Sequence, residues 1–244
     1  MTADSQPVIV GVGQETWRER DVSRTPVDAL QAVAARAAED TGATGVLGSV
    51  DAIVHVPFLL TQVEGFASAM PRNAGAALAE RLGIEAAVYS ADTGGDLPQR
   101  FVGDFAGRLV RGELDAVLLC GVELMATFLG AVRAGEPFPP WSTGREDDPQ
   151  LVGTSPPMTA DTELAHGLFE PIHAYPLFES ALRHAKGLDA ATHAQRLGRL
   201  VAAMSHVAAA NPYAWKRERL TAEQVLSTEK GNRMIAHPYT KLMN

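Results

Sequence analysis

The fold is decided by residues 85–123, whose sequence is EAAVYSADTGGDLPQRFVGDFAGRLVRGELDAVLLCGVE. The apolar run at 85–91 predicts a strand, and the run at 114–123 predicts a fully buried strand. Between them, apolar residues at helical spacing predict a helix over 97–111, which Gly112 ends. A strand, a helix and a second strand in this order predict a crossover unit with two parallel strands.

The residues before this unit repeat the same alternation. Apolar runs predict a buried first strand at 7–13 and a second strand at 50–56. A helix between them has Thr25 as its N-cap and Pro26 at its first position, and another helix covers 74–83. Strands separated by helices of this length predict an α/β fold with a largely parallel sheet covered by helices on both faces.

The character of the chain changes after Met125. A proline-rich stretch at 135–160 is typical of an extended surface segment, and helical patterns follow near 175–186 and 190–210. A short capped helix is predicted in the final segment. The longest of these helices carries apolar residues at helical spacing, namely Leu197, Leu200, Val201, Met204 and Val207.

Composition excludes several classes of protein. The chain has 244 residues, of which 46% are hydrophobic, so a sizeable core is expected. A formal net charge of −8 argues against a nucleic-acid surface. No signal peptide is apparent, and no apolar run approaches the roughly 18 residues that would cross a bilayer, so we expect a cytoplasmic protein without membrane insertion. The single cysteine, Cys120, excludes an internal disulfide framework and a cysteine-based metal site.

The turn at 92–95 is the candidate site, because it lies between a strand end and a helix N-terminus. It consists of Asp92, Thr93, Gly94 and Gly95. A thiol at such a position would be pushed toward the thiolate, whereas a carboxylate is stabilised as an anion of weak nucleophilicity. Asp92 could serve as a base or orient a ligand. The alternative is structural, with Asp92 or Asp96 capping the helix.

Other chemistry-bearing residues have structural interpretations. Cys120 lies within a predicted strand and is interpreted as a small buried hydrophobe. The seven histidines form no HxxxH pair, so no metal site is predicted. His206 is interpreted as a packing histidine and retained as a catalytic candidate. The GVGQET turn after the first strand lacks the third glycine of a dinucleotide fingerprint, and no bound cofactor is expected.

Several segments together resemble the thiolases, specifically the sterol-carrier-type branch often labelled acetyl-CoA acetyltransferase. PVIVGVGQ, VDAIVHV, YSADTGGDLPQ and GRLVRGELDAVLLCGVE stand in the order typical of that branch. Further on, ELAHGLFEPIHAYPLFESALR, VAAANPYAW and NRMIAHPYTKLMN are similar to its loop region and the return to the core. The resemblance extends from about residue 7 to residue 244.

The resemblance implies a thiolase-like N-terminal α/β core at 1–125, an inserted, mostly helical loop domain at 126–218, and a return segment at 219–244. The second thiolase half is expected to be absent. The implied function is the handling of acyl-CoA thioesters in lipid metabolism, with Thr93, Gly94 and Gly95 as ligand-binding residues. Asp92 takes the position of the acyl-accepting cysteine, so transfer through an acyl-cysteine is not expected.

The resemblance also implies a partner. The helix at 97–111 carries an apolar stripe formed by Leu97, Phe101 and Phe105, which an isolated thiolase half would leave exposed. We therefore expect this surface to bind a second thiolase-half chain or a second copy of this chain. Two other functions stay open. One is an aldolase subunit that cleaves carbon–carbon bonds in CoA thioesters with a partner chain. The other is a binding or scaffolding module without catalysis.

Overall fold

The computed structural model describes residues 6–62, 65–92, 94–138, 141–153, 159–168, 171–229, 235–236 and 240–241. Its contacts divide the chain into two compact units, Met1–Pro156 and Pro157–Asn244. No helix in the described part of the chain is long and apolar enough to cross a membrane.

The first unit is built on a parallel sheet in the order β3-β1-β2-β4. Its strands are β1 (Ala52–His55), β2 (Ala87–Ser90), β3 (Val117–Cys120) and β4 (Gln150–Leu151). In register, Val54 lies beside Tyr89 on one side and Leu119 on the other. The chain is therefore an α/β protein with a parallel sheet, as the sequence predicts.

Helices cover both faces of this sheet. They are α1 (Pro26–Asp40), α2 (Ala74–Leu82), α3 (Leu97–Val110) and α4 (Met125–Ala134). Ile53 of β1 packs with residues of α1, α2 and α4, whereas Val54 packs with residues of α3. Since successive strand residues point to opposite faces, α3 lies on one face and the other three helices lie on the opposite one.

The predicted helix ends are confirmed. Thr25 caps α1 in a capping box with Asp28, and Pro26 occupies the first turn. Helix α2 ends at Gly83, which takes the left-handed conformation at φ 65°. These ends depend on local side-chain and backbone preferences, which explains why the sequence alone locates them.

The proline-rich stretch is more closely tied to the unit than an extended surface segment would be. It contributes β4, and Trp141 is buried in the core that contains Ile53. Arg72 holds Asp148 through two hydrogen bonds of 2.6 and 2.7 Å, and Asn73 donates to Asp147 at 2.8 Å. Both contacts fix the segment against the start of α2.

The first predicted strand is wrong. Residues 7–13 belong to neither of the described sheets, and their apolar side chains are largely exposed, with Val8 at 75% and Ile9 at 78%. The segment instead passes close over α1. A Cβ at Gly11 would lie 2.2 Å from the Ala37 carbonyl oxygen, and one at Gly13 would lie 2.1 Å from the Val33 oxygen.

Two predictions of exposure are also wrong. Strand β3 is not fully buried: Val117, Leu118 and Leu119 are half-buried, and of its four residues only Cys120 is buried. Conversely, the α3 stripe that an isolated half was expected to expose is buried against the sheet, with Leu97 and Phe101 at 0% exposure and Phe105 at 3%.

The second unit, Pro157–Asn244, is mostly helical in its described residues. Helix α7 is capped by Asp189, and Asn211 closes it. Of its predicted apolar stripe, Leu197 and Val201 are buried, while Leu200, Met204 and Val207 are exposed. The described elements are α5 (Asp161–Ala165), α6 (Pro171–Ala185), α7 (Ala190–Ala210), α8 (Ala222–Leu226), β5 (Ile235–Ala236) and β6 (Thr240–Lys241).

Candidate functional site

The candidate site lies at the carboxyl edge of the parallel sheet of the first unit. Strands β1, β2 and β3 end there at His55, Ser90 and Cys120. His55 and Cys120 are register partners, and Ser90 Oγ donates to the His55 carbonyl oxygen at 2.9 Å. In open α/β sheets, ligands bind in the crevice outside this edge. The fold therefore brings the corner after β2 beside two other strand ends.

The corner itself joins β2 to α3. Asp92 is exposed, Gly94 is half-buried and Gly95 is exposed. Leu97, the first residue of α3, donates its backbone N–H to the Gly94 carbonyl at 3.2 Å. Thr93, a predicted ligand-binding residue, lies outside the described residues.

Helix α3 has an acidic N-cap position, but it is not capped in the usual way. The N-cap residue is Asp96, and its side chain makes no capping hydrogen bond. The carboxylate instead faces the Arg100 guanidinium at 3.7 Å. Asp92 precedes the N-cap residue in the chain. Asp92 is therefore not at the N-cap position of α3, in contrast to the alternative in which it caps this helix.

His55 is the most deeply buried titratable group at this edge. It is 5% exposed, and its ring centroid lies 4.7 Å from that of Phe58. Burial lowers the pKa of His55 to about 4, since the charged imidazolium would lose its hydration. Its Nε2 has no hydrogen-bond partner in the described structure. His55 is therefore a neutral imidazole at physiological pH.

Cys120 lies beside His55 and is equally inaccessible. The side chain is 7% exposed, and burial raises the pKa of its thiol to about 12. Because the thiolate is the nucleophilic form, a thiol with so high a pKa is inert at neutral pH. The interpretation of Cys120 as a small buried hydrophobe agrees with this burial.

Glu123 completes the carboxyl edge, on the loop that follows β3. Its carboxylate accepts a hydrogen bond from Leu59 N–H at 2.6 Å. Desolvation raises the pKa of Glu123, against the opposing effect of that hydrogen bond. Sequence reasoning overlooked both Glu123 and His55, although a polar residue at or just after a predicted parallel strand is the signal that marks this edge.

His206 does not have the predicted packing role, because its side chain is exposed on α7 in the second unit. The buried histidine of that helix is His193, at 2% exposure, whose Nε2 lies 2.7 Å from Glu179 Oε2 of α6. His193, Leu197, Val201 and Ser205 follow one another every four residues on the buried face. His206 is one residue past that face, which explains its exposure.

The chemistry available at the corner is that of a carboxylate rather than a thiolate. Asp92 offers an exposed carboxyl group, whereas His55 and Cys120, at the ends of β1 and β3, are buried in uncharged forms. Within the described ranges, no three His, Cys, Asp or Glu side chains converge in a way that could hold a metal ion. The arrangement suits a base or a hydrogen-bond acceptor at the strand end.

Comparison with known proteins gives a structural match. No family model matches the sequence, and no curated protein matches it. Among solved structures, the chain is similar to a monomeric SCP2-thiolase-like protein type 1 from Mycobacterium smegmatis, with a TM-score of 0.68 and 28% sequence identity. The match covers 98% of this chain and 43% of that one.

The chain therefore has a thiolase-like fold of the SCP2-thiolase type, as the sequence motifs predict. It spans less than half the length of the structure that it matches.

Proposed function

We propose that this thiolase-like chain binds an acyl-CoA thioester at the corner between β2 and α3 without taking the acyl group covalently. The observation that carries the proposal is the position of Asp92. It is exposed two residues past the end of β2, at the carboxyl edge of the sheet, where the family resemblance implies an acyl-accepting cysteine. Thr93, Gly94 and Gly95 are the proposed ligand-binding residues.

Chemistry argues against an acyl-enzyme on this chain. Attack by the Asp92 carboxylate would expel the CoA thiolate and leave a mixed anhydride, a more reactive acyl compound than the thioester it came from. The chain has one cysteine, and burial keeps Cys120 as a thiol. Transfer of the acetyl-CoA acetyltransferase type would therefore need a nucleophile from elsewhere.

A carboxylate at the corner also favours a second function, carbon–carbon cleavage of a CoA thioester. As a base, Asp92 would take the proton of a β-hydroxyl group. The carbon–carbon bond would then break to give a carbonyl compound and the thioester enolate, which the same carboxyl group would reprotonate at carbon. This is the aldolase alternative, and it needs no covalent intermediate.

The proposed assembly includes a second polypeptide. More than half of the M. smegmatis structure lies outside the match. We propose that the site works as part of a larger thiolase-like assembly. His206 is not placed in this mechanism, because its side chain is exposed on a helix of the second unit.

Calorimetry with CoA and acetyl-CoA tests the proposal. We expect saturable binding of acetyl-CoA, weakened about fivefold by Asp92→Ala, the loss of roughly one hydrogen bond. Asp104→Ala is the matched control, since Asp104 is an exposed carboxylate on α3. If the folded protein binds neither compound, the scaffolding alternative is favoured. If all three proteins bind acetyl-CoA with equal affinity, the corner has only a structural role.

A further inference from the structure

A strap of chain connects the core of the first unit with the candidate corner. We define the strap as residues 141–153. It begins at Trp141, which is 1% exposed, and it ends with β4 and the two residues that follow. A run of charged residues at 145–148 lies in its middle. The strap therefore joins the core around Trp141 to the edge of the sheet beside β2.

The end of the strap contacts the chain on both sides of the corner. Val152 donates its backbone N–H to the Ser90 carbonyl oxygen at 2.8 Å, at the end of β2. The side chain of Val152 packs against the buried cluster that contains Ala91 and Leu97. Ala91 directly precedes the corner and Leu97 begins α3, so one residue of the strap contacts both of the segments that the corner joins.

The pairing between the strap and the sheet is short. Strand β4 has two residues, Gln150 and Leu151, and both are exposed. Gly153 then passes beside the guanidinium of Arg100, on the first turn of α3, where a Cβ at Gly153 would lie 3.3 Å from Nη2. Exposed backbone hydrogen bonds with few buried neighbours open easily. We therefore expect contacts elsewhere in the strap to contribute to its position.

Polar side chains hold the middle of the strap against the start of α2. Arg72 donates to both carboxylate oxygens of Asp148, at 2.6 and 2.7 Å. Asn73, the N-cap residue of α2, is 3% exposed and donates to Asp147 Oδ2 at 2.8 Å. The charged run at 145–148 therefore ties the strap to α2 through two neighbouring carboxylates.

The pair of Arg72 and Asp148 has the geometry in which an ion pair contributes most. Its two parallel hydrogen bonds match the planar guanidinium to the carboxylate, and bidentate pairs are stronger and more directional than single contacts. Isolated exposed pairs usually contribute little, but bidentate pairs within a network are an exception. Hydrogen bonds from Arg72 also lower the pKa of Asp148, so the carboxylate stays ionised at neutral pH.

We infer that Arg72 and Asp148 are positioning residues for the corner. By fixing the strap against α2, the pair keeps Val152 on the Ser90 carbonyl and keeps the end of the strap beside the corner. Loss of either charge frees the middle of the strap, lets Val152 separate from β2 and loosens the turn that presents Asp92. The consequence for acyl-CoA binding rests on the proposed function, whereas the effect on the backbone of the corner does not.

Hydrogen exchange on the full chain tests the positioning role without any ligand. In Arg72→Gln and in Asp148→Asn, the amides of Val152 and Leu97 should exchange about tenfold faster than in the unmodified protein. The Leu97 amide donates to the Gly94 carbonyl oxygen and therefore reports on the corner. Unchanged exchange at either amide would overturn the inference.

The amide of Val54 separates positioning from general stability. Val54 lies in β1 at the centre of the sheet and is 0% exposed, so its exchange should be the same in all of these proteins. If both variants accelerate exchange at Val54 as much as at Val152, the pair only stabilises the unit as a whole, and the positioning role is contradicted.

A double variant and a matched control identify the pair as the cause. Arg72→Gln combined with Asp148→Asn should exchange no faster than either single variant, because the effects of two residues that act as a pair are not additive. Arg111→Gln is the control, since it removes another exposed ion pair, with Glu113, at the C-terminus of α3. Additive effects in the double variant, or an equal effect of Arg111→Gln, would contradict the inference.

Calorimetry with acetyl-CoA tests the consequence for binding. If the unmodified protein binds, we expect about threefold weaker binding by Arg72→Gln and by Asp148→Asn, and unchanged binding by Arg111→Gln. Equal affinities of all four proteins would overturn the role of the pair in ligand binding. If the unmodified protein does not bind acetyl-CoA, the proposed function fails, and the exchange of Val152 and Leu97 alone decides the positioning role.

Discussion

Strands β1 and β3 pair with each other along their whole length but are buried to different extents. All four residues of β1 are buried, whereas in β3 only Cys120 is. Strand β1 has a neighbour on each side, and β3 has one described neighbour. Lateral neighbours alone do not set this difference, because β2 also has a neighbour on each side and only Ser90 of its four residues is buried.

The largest expected effect separates the centre of the sheet from its edge. Ile53 of β1 is 0% exposed, so Ile53→Ala should lower the free energy of unfolding by about 3 kcal/mol, through lost burial and the cavity left behind. Leu119→Ala in half-buried β3 should cost about 1 kcal/mol. Urea denaturation followed by circular dichroism measures both values.

Ile9→Ala is the control for this pair, because Ile9 is 78% exposed and its truncation should change the unfolding free energy by less than about 0.5 kcal/mol. If Leu119→Ala proves as costly as Ile53→Ala, β3 is an interior strand in solution and the comparison between centre and edge fails.

The buried end of β1 predicts a pH dependence. The pKa of His55 is lowered from 6.5 to about 4, so below pH 6.5 the unfolded chain binds a proton that the folded chain does not. The contribution of His55 to the free energy of unfolding is therefore fully present above pH 6.5 and decreases as the pH drops toward 4. At pH 5 the free energy of unfolding is lower by on the order of 2 kcal/mol.

His55→Phe isolates this contribution, since a neutral ring of similar shape cannot titrate. Between pH 7 and pH 5, the variant should lose less stability than the unmodified protein in urea denaturation. Equal losses over this interval would show that His55 is accessible to solvent and titrates normally.

The segment beside β3 depends on the close approach of its glycines to α1. Gly13→Ala would place a Cβ 2.1 Å from the Val33 carbonyl oxygen, so the segment must move, at a cost of about 1–2 kcal/mol. Gly48→Ala is the matched control, because a Cβ there meets nothing within 4 Å. A neutral Gly13→Ala in thermal unfolding would mean that the segment is not held against α1.

The smallest effect compares the helices that cover the two faces. Thr25→Ala removes the capping box of α1 and should cost about 1 kcal/mol. Asp96→Ala at the N-cap of α3 removes no capping hydrogen bond and should cost less than about 0.5 kcal/mol. Equal costs in urea denaturation would imply that Asp96 caps α3 in solution.

Helix limits and central strands could be predicted from the sequence because their causes are local. Thr25 and Gly83 act on the backbone within a few residues, and the apolar run at 52–55 is buried as such runs usually are. The order of strands along the chain also follows from this alternation. The sequence pattern does not predict which strands lie side by side in the sheet, since that depends on residues far apart in sequence.

The same limitation explains the incorrect predictions. Residues 7–13 are as apolar as a buried strand, but they pair with no strand of the described sheets. Apolar composition alone does not determine whether a segment has a partner strand. The apolar stripe of Phe101 and Phe105 predicts an interface with another chain, but these side chains pack against the sheet, with Ala52 and Val54 of β1. The apolar side chains that remain partly exposed are instead those of β3, namely Val117, Leu118 and Leu119.

The candidate site was predictable in part. The motif places Asp92 on a corner, and the structure has it exposed past the end of β2. His55 and Glu123 come to this edge only through strand register and the loop after β3. On α7, Ser205 is buried and the next residue, His206, is exposed. The spacing of apolar residues does not locate the edge of the buried face to within one residue.

We propose that the corner corresponds to a thiolase nucleophile position in which Asp92 stands in place of the cysteine. Intact mass spectrometry after incubation with acetyl-CoA tests it on three proteins: the unmodified chain, Asp92→Cys, and the control Asp104→Cys on the exposed face of α3. We predict a stable acetyl adduct on Asp92→Cys alone. An adduct on the unmodified chain, or equal labelling of the two cysteine variants, would contradict the account.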